Sequence, residues 1–236
     1  MLSLAKAEPG TRFVFAAVGF ETTAPVYAVL ADTIMKEQIP NVQLLTALKT
    51  MPSAVRALCK GETKIDGFLA PGHVAVITGE GPWHQLAAAQ GLPFVISGFT
   101  GEELLCSLYA LVHLAGQGVC KNLYPAAVRP EGNPAARALV DRYFEPTDAA
   151  WRGLGILPGS GLMLRPQYQH LDAGSAQLTT DAAAHSGCRC AQVNTGAIPP
   201  TACPLFGTAC TPSTPRGACM VSGEGSCHNA YLNHRM

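Results

Sequence analysis

The chain has 236 residues, of which 48 % are hydrophobic and 14 % charged, with a formal net charge of zero. That length and composition exclude a disordered chain and leave room for one or two cored domains plus an appendage. The even charge argues against nucleic acid or an anionic membrane as the main partner, and no apolar run reaches the about 18 residues that span a bilayer.

In chain order, the amino terminus MLSLAKAEPGTRF lacks the apolar run of a signal peptide, so the reducing cytoplasm is the expected compartment for nine cysteines. RFVFAAV, Arg12–Val18, reads as a buried parallel strand, and a helix follows from Pro25. Strands are then predicted at Val42–Leu48, Ile65–Leu69 and Pro93–Ser97, with helices at Ser53–Cys59, Gly81–Gln90 and Gly101–Leu114. Four strand–helix alternations with short connections predict one parallel α/β sheet over residues 10–118, with helices on both faces.

Ligands of open α/β sheets bind beyond the carboxyl ends of the strands. Glu21, Thr22 and Thr23 lie in the loop after the first predicted strand and His73, within PGHV, in the loop after the third, so the four are candidates for one cleft. The competing role for Thr22 or Thr23 is capping the helix that starts at Pro25, and a single His is commonly structural. Further on, Pro134–Tyr143 reads as a helix with Asn133 as its cap, while Arg129 and Glu131 read as solvated surface. WRGLGILPGSGL, Trp151–Leu162, predicts short extended segments and turns, and Ala173–Ala184 a linker or weak helix. There is no internal repeat and no phosphate-cradling glycine loop. Cys59 and Cys106 fall in apolar helices, where a thiol acts as a small hydrophobe; Cys120, beside Lys121, is also assigned a structural role.

The remaining cysteines, Cys188, Cys190, Cys203, Cys210, Cys219 and Cys227, crowd into forty residues. The last four are separated by Gly- and Pro-rich spacers that build turns, and a turn-rich segment needs a cross-link in place of a core. Three chemistries stay open on spacing. Four thiolates from irregular loops suit an iron–sulfur cluster. Zinc is a second option, although the short knuckle of most structural zinc sites is missing. Disulfides are the third.

The tail CPLFGTACTPSTPRGACMVSGEGSC resembles the carboxy-terminal signature of the HypD family of hydrogenase maturation proteins. GFETTAP at Gly19–Pro25, PGHV at Pro71–Val74, EGN at Glu131–Asn133 and WRGLGILPGSGL extend the resemblance in the family's order. It implies a HypD-like fold in three parts: an α/β domain over 1–118, a connecting segment over 119–185 completing a neighbouring α/β domain, and a cysteine-rich iron–sulfur domain over 186–236. It implies a four-iron four-sulfur cluster on Cys203, Cys210, Cys219 and Cys227, with Cys188 and Cys190 in reserve. It also implies a scaffold that works with HypC, receives cyanide through HypE, assembles the Fe(CN)2CO unit and indirectly serves the nickel–iron hydrogenase large subunit. The cluster would relay electrons toward the iron site, Glu21, Thr22, Thr23 and His73 would line the iron unit's cleft, and Glu224 would move protons or tune the cluster. The implied role is an assembly factor with redox capability rather than a turnover enzyme. The family's Cys-Gly-Thr-His and Gly-Pro-Gly-Cys-Pro-Val-Cys motifs do not occur, so the expected member is a fragment without the amino-terminal iron-binding portion.

Overall fold

The computed structural model describes residues 1–59, 64–151, 154–179 and 186–233. Its elements are α1 (Leu2–Ala7), β1 (Phe13–Gly19), α2 (Ala24–Lys36), β2 (Val42–Lys49), α3 (Met51–Leu58), β3 (Phe68–Pro71), α4 (Gly72–Thr78), α5 (Gly81–Gln90), β4 (Phe94–Ser97), α6 (Gly101–His113) and β5 (Cys120–Asn122). They continue with α7 (Pro134–Tyr143), β6 (Phe144–Trp151), β7 (Gly155–Leu164), α8 (Cys190–Asn194), α9 (Ala218–Val221) and α10 (Ser226–Asn233). The chain divides into two compact units. The first comprises Met1–Ser53, Asp66–Ala149 and Pro158–Leu178, and the second Ala54–Ile65, Ala150–Leu157 and Thr179–Met236.

The first unit is α/β, with parallel strands flanked by helices. The predicted strands fall close to their places, but the single sheet expected over residues 10–118 is two sheets, ordered β1-β2-β7-β6 and β3-β4-β5. β1 and β2 run parallel from Phe13↔Val42 to Gly19↔Leu48. The far side of β2 is taken by β7, antiparallel at Leu48↔Leu162 and Lys49↔Gly161. Earlier along that side, Leu44 bridges to Asp172, and the Thr46 N–H donates to Ser175 Oγ at 2.8 Å. With that edge occupied by late parts of the chain, β3 pairs instead with β4, and β4 with β5. Ser175, expected in a linker, is therefore buried beside a strand; residues 180–184 of that stretch lie outside the described residues.

Local sequence explains the elements. α2 presents Ala24, Ala28, Ala31 and Ile34 at helical spacing, and these pack with Val42, Leu44 and Leu48 of β2 and with Phe144 and Leu164. Small alanines on that face suit the close packing of α2 and α7, where the Tyr143 hydroxyl donates to Asp32 Oδ1 at 2.9 Å. α6 begins with a capping box: Thr100 Oγ1 accepts from the Glu103 N–H, and the Glu103 carboxylate accepts from the Thr100 N–H. Asn133 caps α7 as expected, accepting from the Ala136 N–H at 3.0 Å.

Two other expectations need correction. The PGHV stretch is not a loop: β3 ends at Pro71, and Gly72 starts α4 directly. Cys106 is exposed on α6 rather than buried. Apolar neighbours gave it a core-like setting in the sequence, but α6 buries only Ser107 fully and leaves Leu105, Tyr109 and Val112 in solvent.

Around the cysteine-rich segment, the described residues of the second unit form short helices and turns. Its core is Cys190, Val193, Cys210, Cys219, Met220 and Cys227, with Cys188, Ile198, Leu205, Phe206 and Tyr231 packed against them. Sulfur supplies most of that interior.

Phe94 is fully buried at the centre of its sheet and stacks on Phe68 with ring centroids 4.8 Å apart. Phe94→Ala is expected to cost about 3–5 kcal/mol in urea denaturation, because it removes a fully buried ring and leaves a cavity.

Candidate functional site

Six thiols meet in the second unit. Cys188 and Cys190 sit at the start of α8, their sulfurs 3.2 Å apart. Cys203 and Cys210 bracket a tight loop in which the Phe206 N–H donates to the Cys203 carbonyl and the Cys210 N–H to the Leu205 carbonyl. Cys219 lies on α9 and Cys227 in the first turn of α10. Five of them, Cys188, Cys190, Cys203, Cys210 and Cys227, line one hollow with Leu205, Phe206, Gly217 and Met220. Cys219 does not line that hollow; its thiol donates to Asn194 Oδ1 at 3.1 Å.

The chemistry of this nest follows from burial. A thiol away from water resists ionisation, and burial pushes Cys188 and Cys227 up to about 11. Cys190 goes the other way, downward, chiefly through its side-chain hydrogen bond with Cys219, and Cys219 is pushed up by that same interaction. The Arg216 N–H donates to Cys210 Sγ at 3.3 Å. At Gly217 an added Cβ would stand 2.3 Å from Cys190 Sγ and 2.4 Å from Cys188 Sγ, so only glycine leaves the sulfurs their space. All nine cysteines are free thiols, and among the described residues no three His, Cys, Asp or Glu are arranged to ligate a metal ion. The donor set itself, soft sulfur in an apolar hollow, fits zinc or an iron–sulfur cluster. Glu224 is exposed in the turn between α9 and α10.

A second site lies in the first unit, a cleft of about 440 Å³. Glu21, Ala24 and Thr50 line it after β1 and β2, and Ile77, Thr78, Gly81, Pro82 and Gln85 line it from α4 and α5. Pro130, Arg137, Val140 and Asp141 of α7 and its approach, with Leu162 of β7, complete the wall. Of the four cleft residues expected from sequence, Glu21 alone lines it. Thr22 is exposed, and Thr23 Oγ1 donates to the Phe20 carbonyl at 3.0 Å. Thr23 is the N-cap residue of α2 without a side-chain capping bond. His73 is exposed on α4 with its ring 4.1 Å from that of Phe99. Gly72 beside it is buried because the Ser97 carbonyl would stand 2.4 Å from an added Cβ. Sequence reasoning missed Arg137 and Asp141. They share a helix face one turn apart, but nothing local says that this face borders a cleft.

The Glu21 carboxyl is the chemically distinctive group there. Oε1 accepts from the Met51 N–H at 2.8 Å, while Oε2 is buried without a hydrogen-bond partner. Burial pushes the group to about 7, against its own backbone N–H and that of Met51, which pull it down. Near neutral pH it is thus partly a neutral acid able to donate a proton.

The raised value has a sign. Between the ordinary 4.5 and about 7, the folded protein holds a proton that the unfolded chain has released, so stability falls as pH rises through that window and levels off above it. Glu21→Gln is expected to remove on the order of 3 kcal/mol of this fall. Urea denaturation at pH 5, 6, 7 and 8 checks it; an identical slope in both proteins would place the titration elsewhere.

Comparison with known proteins adds a family to these geometries. The family model described as "HypD: Hydrogenase formation hypA family" matches residues 1–234. A putative hydrogenase expression/formation protein of Methanocaldococcus jannaschii is 34 % identical over 239 residues, which is 100 % of this chain and 67 % of that protein. The hydrogenase maturation factor HypD1 of Bradyrhizobium diazoefficiens is 37 % identical over 246 residues, 99 % of this chain and 64 % of the relative. HypD of Cupriavidus necator is 34 % identical over 245 residues, 98 % of this chain and 64 % of the relative. The chain thus spans about two thirds of the length of the relatives it matches. With a model that covers it almost end to end and relatives aligned along nearly all of it, the chain belongs to the HypD family.

Proposed function

We propose that this chain serves nickel–iron hydrogenase maturation as a scaffold on which, together with HypC, the Fe(CN)2CO unit is assembled, with HypE delivering cyanide and the hydrogenase large subunit as eventual recipient. Membership of the HypD family supports the pathway. The observation that carries the chemistry is the gathering of five thiols around one apolar hollow, with Cys219 in the adjoining core and Gly217 leaving room for the Cys188 and Cys190 sulfurs.

In this reading Cys203, Cys210, Cys219 and Cys227 hold a four-iron four-sulfur cluster, and Cys188 and Cys190 are the reserve ligands. A bound cluster would supply one-electron chemistry that keeps thiols near the iron unit reduced. The protein's own part is to hold the sulfurs, to keep water off them with Leu205, Phe206 and Met220, and to orient Cys210 through the Arg216 N–H. Because ligand sulfur must be deprotonated, loading a nest of buried thiols releases protons and is favoured as pH rises. Glu21, the one of the four expected residues that lines the cleft, is assigned to the surroundings of the iron unit as substrate, where it can give or take a proton near pH 7. Glu224 is assigned to proton movement or tuning at the cysteine-rich end. The protein acts as an assembly factor with redox capability, in the cytoplasm. No helix among the described residues is long and apolar enough to cross a membrane.

Anaerobically purified protein is expected to contain about four irons and four acid-labile sulfides per chain, with broad visible absorption bleached by reduction. Alanine at Cys203, Cys210, Cys219 or Cys227 is expected to abolish both. A cluster retained in Cys219→Ala would assign the fourth position to Cys188 or Cys190, which line the hollow that Cys219 does not. One zinc and no sulfide would replace the relay with a structural metal site.

A further inference from the structure

One polar side chain that the sequence did not single out meets a sulfur of the nest. α8 runs from Cys190 to Asn194, so these two residues lie one turn apart on the same face. α8 packs against α9, which carries Cys219. Cys219 is buried, and its thiol donates to Asn194 Oδ1 at 3.1 Å; the Cys190 carbonyl stands farther off, 4.0 Å from the same sulfur. The end of α8 is served by the next residue instead, since Thr195 is its C-cap and the Thr195 hydroxyl donates to the Ala191 carbonyl at 3.0 Å. In the bond to Asn194 a protonated thiol gives its hydrogen to a carbonyl oxygen. A cysteine that ligates metal has lost that hydrogen, and an oxygen facing its negative sulfur is repelled. Asparagine meets both demands with one side chain, because a half-turn about its Cβ–Cγ bond exchanges the carbonyl oxygen for an NH2 donor.

We propose that Asn194 is a positioning residue for the cluster: it accepts from the Cys219 thiol before loading, donates an N–H to the Cys219 sulfur after it, and so raises the reduction potential. The proposal rests on the reading that Cys219 is a cluster ligand. A hydrogen bond to a ligand sulfur disperses negative charge. The reduced cluster carries one more negative charge than the oxidised one, so the donor stabilises the reduced state more. The sign of the effect is diagnostic. With a donor on the sulfur, removing Asn194 makes reduction harder; with the oxygen still facing it, removal makes reduction easier.

The test is a spectroscopic redox titration of anaerobically purified protein whose iron and acid-labile sulfide have been assayed. Asn194→Leu is expected to make reduction about tenfold less favourable, a fall of about 59 mV for a one-electron couple. Gln192→Leu, which removes an exposed carboxamide from the same helix, leaves the potential where it is. A second readout needs no variant to fold. Wild-type protein carrying asparagine labelled with nitrogen-15 at the carboxamide is expected to show a nitrogen-15 hyperfine coupling to the reduced cluster in pulsed EPR. An unchanged or raised potential in Asn194→Leu, or no such coupling in the wild type, overturns the role of Asn194 and leaves the cluster in place. A cluster retained in Cys219→Ala also overturns it, by taking Cys219 out of the ligand set. Wild-type protein with zinc and no sulfide overturns the cluster reading itself, and this proposal with it.

Discussion

The first unit depends on how the two edges of β2 are used. One edge takes β1 in parallel over the full strand, and the other is shared between β7 at Leu48 and Lys49 and the Asp172–Ser175 turn further back. The turn is held by the Asp172 carboxylate, which accepts from the Ser175 N–H and hydroxyl, while Ser175 Oγ accepts from Thr46. Buried backbone groups must find partners, and here β2 finds them more than a hundred residues downstream. With both edges of β2 filled, β3 does not pair with it and lies in a second sheet with β4 and β5. The cleft then lies between the carboxyl ends of β1 and β2 and the α4–α5 layer, with α7 closing one side. Glu21 reaches the Met51 N–H because β1 and β2 end level with one another, as their register requires.

Sulfur plays the corresponding part in the second unit. Leucine or isoleucine would fill the same interior and stabilise it by burial alone, so hydrophobic packing does not account for five cysteines in it. Burial holds Cys188 and Cys227 protonated in the metal-free protein, and one strongly acidified thiol, Cys190, depends on its neighbour Cys219. Such a set is poised rather than satisfied: a positively charged partner reverses the cost of ionising each sulfur that it contacts.

Much of this was legible in the sequence, and the limit follows the range of the interactions. Strand and helix periods are local, so β1, α2, β2, α5, β4 and α6 fall within a few residues of where apolar spacing puts them. Asn133 as a cap is local as well. Sheet membership is not, and Ser175 in its Ala- and Thr-rich setting carries no sign that Thr46 awaits it. Cys106 misled for a related reason: an apolar run reads as buried, but α6 presents its apolar residues to solvent on one side. Of the candidate site residues, the cysteines were readable because their density has no other local explanation. Arg137 and Asp141 were not, because they gain meaning only when α7 is laid beside α4 and α2.

The motifs that carry the family likeness divide unevenly between holding and reacting. In GFETT, Thr23 is committed to the Phe20 carbonyl, and only the Glu21 carboxyl is left buried with an oxygen unspent. In PGHV, the glycine is required by the Ser97 carbonyl and the histidine ring rests by Phe99. In EGN, the Asn133 N–H donates to the Ile77 carbonyl and its side chain caps α7, pinning the approach to the cleft wall. Most of these residues are spent on backbone geometry, so their recurrence identifies the scaffold more directly than the chemistry. Reactivity concentrates instead in the groups the scaffold leaves unsatisfied: one carboxyl titrating near neutrality in the cleft, and a nest of buried thiols.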